Sequence, residues 1–227
     1  MDDPLDEALR RKLVRRRGRL HAFPALQGAR TALVAIDAVD TFLGALPERE
    51  AVVGAVGRVA AALRPRGGTV AWVVPTPPAT WPSAAAAAAL LGAAELERYR
   101  REIEAGRGAL PSAGLPVEPG DPIVAKRGYS AFFPGNCALP GLLRDRGIDT
   151  VLLAGALTHV CVEASARDAF ESGFRVVICA DGVAAGDPVR QRASLGTLAR
   201  TCADVRTAAD LAALLDADAG AGSPRGL

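Results

Sequence analysis

Only two histidines, His21 and His159, occur among the 227 residues, beside a single methionine and an aromatic content of 4%. Two histidines exclude a His-rich metal cage and leave few ways to assemble a Ser-His-Asp relay. The four cysteines, Cys137, Cys161, Cys179 and Cys202, form no CxxC pair and show no close ligand spacing, so neither a structural zinc site nor any other metal is expected. No apolar run reaches the 18 or more residues that a membrane helix needs, and Met1-Asp2-Asp3-Pro4 opens no secretory signal. These absences predict a soluble cytoplasmic chain with reduced thiols. Charge is nearly balanced, 27 Lys+Arg against 25 Asp+Glu for a net of +2. That balance gives no general electrostatic reason to bind nucleic acid or an anionic membrane.

What is present is a core. Half of the residues are hydrophobic and 23% are charged, the balance of an ordinary globular chain. With no break in composition, one domain over 1–227 is expected. A basic helical extension is placed at 1–27 and a flexible Gly/Ala/Asp-rich tail at 216–227. The basic extension is read as a solvated helix docking through Leu9, Leu13 and Val14, since no aromatic residues interleave its charges.

Hydrophobic patterning alternates strand and helix. Thr31 to Ile36 and Thr69 to Val74 are continuous apolar runs, as in strands buried on both faces. Pro122 to Ala125, Thr150 to Ala154, Arg175 to Cys179 and Asp204 to Val205 read as four more strands. Helices are expected over Glu48 to Leu63, Ser83 to Glu104, Ala138 to Arg146, Cys161 to Ser172, Val189 to Thr201 and Ala208 to Leu215. The alternation predicts a three-layer α/β/α architecture, a Rossmann-like open parallel sheet of about six strands with helices on both faces. In such sheets ligands bind at the carboxyl ends of the strands.

That rule selects residues. Asp37 follows the first strand, Lys126 the third, and Cys161 opens the helix after the fourth. A cysteine in the first turn of a helix feels the positive end of the macrodipole, which should lower its pKa, and a nearby lysine should lower it further. Nucleophile, proton acceptor and electrostatic partner together fit nucleophilic catalysis. Taken singly, each has a plain structural reading: a small buried hydrophobe, a turn residue and a solvated lysine.

The neighbouring residues decide between these readings. Ala32-Leu-Val-Ala-Ile-Asp37 runs on to Phe42, and Lys126 precedes Tyr129-Ser130-Ala131-Phe132. Gly155-Ala-Leu-Thr158-His-Val-Cys161-Val-Glu163 leads into Ala166-Arg167-Asp168-Ala169, then Gly173 and Asp181. Over residues 28–205 the chain resembles the isochorismatase-like cysteine hydrolases, which include nicotinamidases, N-carbamoylsarcosine amidases and ureidoacrylate amidohydrolases. The resemblance implies that Cys161 attacks a carbonyl carbon, Asp37 relays its proton to the leaving amine, and Lys126 holds the thiolate and orients Asp37. It also implies a cis peptide between Ala156 and Leu157, aiming the Leu157 and Cys161 amides at a developing oxyanion.

Departures from the family pattern bear on the substrate. No histidine lies between His21 and His159, so the metal site of nicotinamidases cannot be built in its usual form, and no cofactor is expected. Val39 stands where many members have Gln, and His159 where Asn or Asp is common. Phe42, Trp81, Tyr129 and Phe133 are candidates to line an apolar pocket. His159 either contacts substrate from the rim or hydrogen-bonds a loop carbonyl, and the two readings stand side by side. Cys137, Cys179 and Cys202 are read as packing residues. The expectation is therefore a cysteine hydrolase cleaving a C–N bond of a small non-peptide amide, carbamoyl or ureido compound. Alternatives are a tailoring hydrolase of a larger amide or ester, with the Pro75–Asp121 excursion as its lid, an isochorismatase-type hydrolase, and a catalytically silent binding scaffold. A homodimer or homotetramer is expected from the same resemblance.

Overall fold

The central strands are buried enough to need cover on both sides, and the computed structural model, which describes residues 4–221, shows how they obtain it. The strands are β1 (Thr31–Ile36), β2 (Thr69–Pro75), β3 (Ile123–Lys126), β4 (Thr150–Ala156), β5 (Arg175–Ala184) and β6 (Asp204–Arg206). They form one sheet in the order β3-β2-β1-β4-β5-β6, with every pairing parallel. β1 is central and buried throughout. Its side chains alternate between faces, so Ala32, Val34 and Ile36 enter one core and Leu33 and Ala35 the other.

The first core is closed by α1 (Glu7–Arg17), α6 (Leu139–Asp145), α7 (Glu163–Glu171) and α8 (Pro188–Thr201). The second is closed by α3 (Arg49–Leu63) and α9 (Ala208–Ala221). Three short helices, α2 (Asp40–Leu43), α4 (Ala84–Leu91) and α5 (Ala93–Glu104), lie in the connections after β1 and β2. Each fully buried Leu or Val in these cores contributes roughly 1.5–3 kcal/mol, so the two faces together dominate the folding free energy. No helix of the described residues is long and apolar enough to cross a membrane.

Several boundaries differ from the sequence expectation. The single helix expected from Ser83 to Glu104 is broken at Gly92, whose φ of 85° and ψ of 145° no helix accommodates. Ser83 makes no side-chain cap there. α1 docks through Leu9 and Leu13, but Val14 is exposed because it lies about 100° further round the helix from Leu13. The last helix does not stop at Leu215. It continues to Ala221, pinned by the Asp216–Arg66 ion pair at 2.8 Å and by Asp218, which accepts from the Gly28 N–H at 2.8 Å. The remainder of the expected tail, 222–227, lies outside the described residues.

Topology fixes where function can sit. From β1 the chain moves outward to β2 and β3, then returns to β4 on the other side of β1. The strand order therefore reverses between β1 and β4, and a crevice opens at their carboxyl ends.

Candidate active site

Asp37 leaves β1 in the left-handed conformation, φ 48°, the one non-glycine residue with positive φ among the described residues. Aspartate tolerates that region better than most side chains. Its N–H donates to the Val73 carbonyl at 2.8 Å, fixing the turn across β2. Lys126 ends β3 and reaches under the crevice, so both side chains are only 1% exposed. Three acceptors surround its ammonium: Asp37 Oδ2 at 2.8 Å, the Gly128 carbonyl at 2.7 Å and Cys161 Sγ at 3.6 Å. An ammonium has three protons to donate, so each acceptor can be served.

Cys161 arrives from β4 by a wider turn than the expected α-helical start. Thr158–Val162 forms a π turn in which the Val162 N–H donates to the Leu157 carbonyl five residues earlier, at 3.2 Å. α7 begins only at Glu163. A peptide bond in the cis form joins Ala156 to Leu157, where the family resemblance places it. The turn is held from α8 by the Ser194 hydroxyl, 2.6 Å from Glu163 Oε2 and 3.3 Å from the Thr158 carbonyl. From the other side, Ser165 Oγ accepts the Ala131 N–H at 3.0 Å and joins α7 to the loop after Lys126.

The electrostatics correct one expectation. A helix start and a lysine were expected to lower the thiol pKa. Instead burial pushes the Cys161 thiol up, Asp37 adds to the rise, and Lys126 only opposes it. Burial likewise holds the Asp37 carboxyl above the usual carboxylate range, against the pull of Lys126. For Lys126 burial alone would lower the pKa, but Asp37 and Cys161 more than offset it and the net shift is upward. Burial thus disfavours charge on both the thiol and the carboxyl, while Lys126 opposes both shifts.

The aromatic candidates take different places. Tyr129 is 41% exposed and within electrostatic reach of Cys161. Its ring meets Trp81 edge-on at 5.6 Å. Trp81 is buried and its indole N–H donates to the Thr76 carbonyl at 3.0 Å. Thr76 in turn donates through both N–H and hydroxyl to the Lys126 carbonyl, each at 3.0 Å. Phe42 packs edge-on against Tyr99 of α5 at 5.3 Å. Phe133 is exposed. His159 is half-buried in the π turn, and burial with the nearby Arg190 lowers its pKa, so it is neutral at pH 7. Tyr99, Thr76, Gly128 and Ser194 carried no readable motif, because their contacts exist only once distant segments meet. Cys137 and Cys202 are half-buried, Cys179 is buried, and all four cysteines are free thiols. Two surface hollows, of about 650 and 300 Å3, open elsewhere: one between α1 and α8, the other beside Phe170 and Phe174. Neither touches Cys161, so chemistry and not volume identifies the site.

A family model for the isochorismatase domain matches residues 31–210. The chain belongs to the isochorismatase family. Among solved structures, the isochorismatase-family chain is similar to a cysteine hydrolase from Pseudomonas syringae pv. phaseolicola, with TM-score 0.72 and 21% identity over 87% of this chain and 99% of that one. It is also similar to the N-carbamoylsarcosine amidase from Thermoplasma acidophilum, with TM-score 0.60 and 27% identity over 79% and 96%. In sequence, 82 residues are 39% identical to the ureidoacrylate amidohydrolase RutB of Methylorubrum extorquens, covering 36% of this chain and 32% of that protein. The RutB of an Enterobacter species gives 39% over 97 residues, 42% of this chain and 41% of that one. The alignments thus span a third to two-fifths of these curated relatives.

Proposed function

We propose that the protein is a cysteine amidohydrolase that cleaves a C–N bond of a small non-peptide amide, carbamoyl or ureido compound. The observation that carries this reading is the buried Lys126 ammonium between Asp37 Oδ2 at 2.8 Å and Cys161 Sγ at 3.6 Å. The names of the ureidoacrylate and N-carbamoylsarcosine relatives support the same bond class. In this reading Asp37 takes the thiol proton as Cys161 sulfur bonds to the carbonyl carbon. The oxyanion that forms is held by the Leu157 and Cys161 amides. Collapse breaks the C–N bond, and the leaving nitrogen takes the proton from Asp37. Water then attacks the thioester, giving its proton to Asp37, and the released sulfur takes that proton back. Lys126 stays charged throughout, offsetting the negative charge as it moves between carboxylate, sulfur and oxyanion.

A small substrate is favoured over a large one because the Pro75–Asp121 excursion is tied down at both catalytic strands. The Ser112 N–H donates to the Ala38 carbonyl at 2.8 Å, and Thr76 binds the Lys126 carbonyl at 3.0 Å. Tyr129, Phe42 and Phe133 are assigned to the pocket wall, His159 to its rim, and Trp81 to holding the loop that carries Tyr129. Replacing Cys161 with Ala and following ammonia release over a panel of amides tests the mechanism. Turnover should vanish, and undiminished release would overturn it.

A further inference from the structure

A π turn is rare in proteins, so one that carries the nucleophile calls for support from outside its own backbone. Among the described residues, two side chains from other elements hydrogen-bond into 158–163. Lys126 meets the Cys161 sulfur at 3.6 Å, and Ser194 lies 2.6 Å from Glu163 Oε2 and 3.3 Å from the Thr158 carbonyl. Lys126 thus contacts the reacting atom itself, whereas Ser194 contacts the residues that bracket it on either side. One hydroxyl proton cannot serve both acceptors, and the shorter contact, to a carboxylate oxygen, is the charge-assisted one. Glu163 is fixed at its other oxygen too, which accepts from Arg167 one turn along α7 at 2.8 Å.

Ser194 is buried, and the helix that carries it is a firm support. Leu195, Leu198 and Ala199 of α8 are buried in the first core. Asp187 caps the helix start, accepting the Val189 and Arg190 N–H groups at 2.7 and 3.0 Å. The Gln191 amide donates to the Val183 carbonyl near the end of β5 at 3.1 Å. Through the Ser194–Glu163 bond, the nucleophile's turn is therefore tied to β5 and to the core. What the bond holds is the placement of Cys161, because a displacement of about 1 Å at a reacting group can cost about a hundredfold in rate.

We propose that Ser194 is a positioning residue for the reaction: its hydroxyl, bonded to Glu163, holds the Thr158–Val162 turn so that the Cys161 sulfur and amide meet the substrate carbonyl. This role rests on the cysteine hydrolase reading. Ser194 touches neither substrate nor the reacting atoms, so its loss slows acyl transfer and leaves binding in place.

The test uses p-nitrophenyl acetate, an activated ester whose acetyl group passes to the Cys161 sulfur while p-nitrophenol leaves with the thiol proton. Single turnovers with enzyme in excess give the maximal acetylation rate and the half-saturating concentration separately. Ser194→Ala should lower the maximal rate about ten- to a hundredfold and leave the half-saturating concentration within about twofold. Ser194→Thr, which keeps the hydroxyl, should recover most of the rate. Glu163→Ala removes the same bond from its other end, so Ser194→Ala added to it should cost less than about twofold more. A wild-type rate in Ser194→Ala, a folded Ser194→Thr no faster than Ser194→Ala, or a full additional loss in the double variant overturns the proposal. Should either Ser194 variant lose its circular dichroism signature, Glu163→Ala carries the comparison: the same loss of rate upholds the role and a wild-type rate overturns it. If mass spectrometry finds no acetyl group on Cys161 of the wild type, the hydrolase reading fails on its own account. Hydrogen exchange of the peptide spanning 157–163 then decides for Ser194. Faster exchange in Ser194→Ala than in the wild type upholds its hold on the turn, and equal exchange overturns it.

Discussion

Lys126 is the residue on which the site's chemistry turns, because it is buried and charged and its three contacts are all internal. Removing one member of a buried ion pair leaves the other charge uncompensated, at a cost of about 3–5 kcal/mol. Lys126→Met should therefore lower the melting temperature as well as the turnover, by thermal denaturation and amide assay on the same preparation. The pH profile follows from Asp37. In the proposed mechanism Asp37 must be ionised to accept the thiol proton, and burial raises its pKa. Activity should consequently fall on the acid side at a pH above the ordinary carboxylate value of about 4. A kcat/KM profile flat down to that value would contradict the assignment. Asp37→Asn should lower kcat by about 100- to 10,000-fold, the usual worth of a positioned proton acceptor. Asp37, Lys126 and Cys161 were legible in the sequence because each ends or follows an apolar run at a strand's carboxyl end. Ser112 and Thr76 were not, since nothing local marks a residue whose partner is 50 or more positions away.

At the scale of elements, the strand starts were read to within a residue, because a buried strand is a continuous apolar run, but β5 continues five residues past the expected Cys179, through Asp181 and Gly182, where the apolar run breaks. The turn that carries Cys161 was not read. An i→i+5 turn inside a helical pattern has no periodicity of its own, and its shape here depends on Ser194 reaching across from α8. The Ser83–Glu104 span was misread for another reason. Alanine propensity favours a continuous helix, but the positive φ at Gly92 ends one helix and starts the next. The packing of β4 on β1 makes its own demand. A Cβ on Gly155 would stand 1.9 Å from the Ile36 carbonyl oxygen, and its φ is 111°. Gly155→Ala cannot be absorbed by a side-chain shift and should cost about 4 kcal/mol or more, measured by urea denaturation. A loss under 1 kcal/mol would mean that β1 and β4 separate more easily than their register implies.

On the scale of the whole molecule, the reversal of strand order between β1 and β4 brings together residues 124 positions apart in the chain, Asp37 and Cys161. The fold class follows from the alternation of strands and helices and so was readable before any coordinates, whereas the strand order, which fixes the crevice, was not. Assembly was not, because it depends on which apolar surfaces remain uncovered. α4 buries only Ala87 and leaves Leu90 at 85% exposure. A homodimer or homotetramer that covers this helix remains the proposal, and sedimentation equilibrium should give a multiple of 23.3 kDa. A 23 kDa species alone would refute it. The central claim, however, is that Cys161 carries the acyl group. Acid quenching during turnover of a slow amide, followed by peptide mass spectrometry, addresses it most directly. The account predicts an acyl adduct on the Cys161 peptide, with Cys137, Cys179 and Cys202 unmodified. Steady turnover with no adduct on Cys161, persisting in Cys161→Ala, would contradict it.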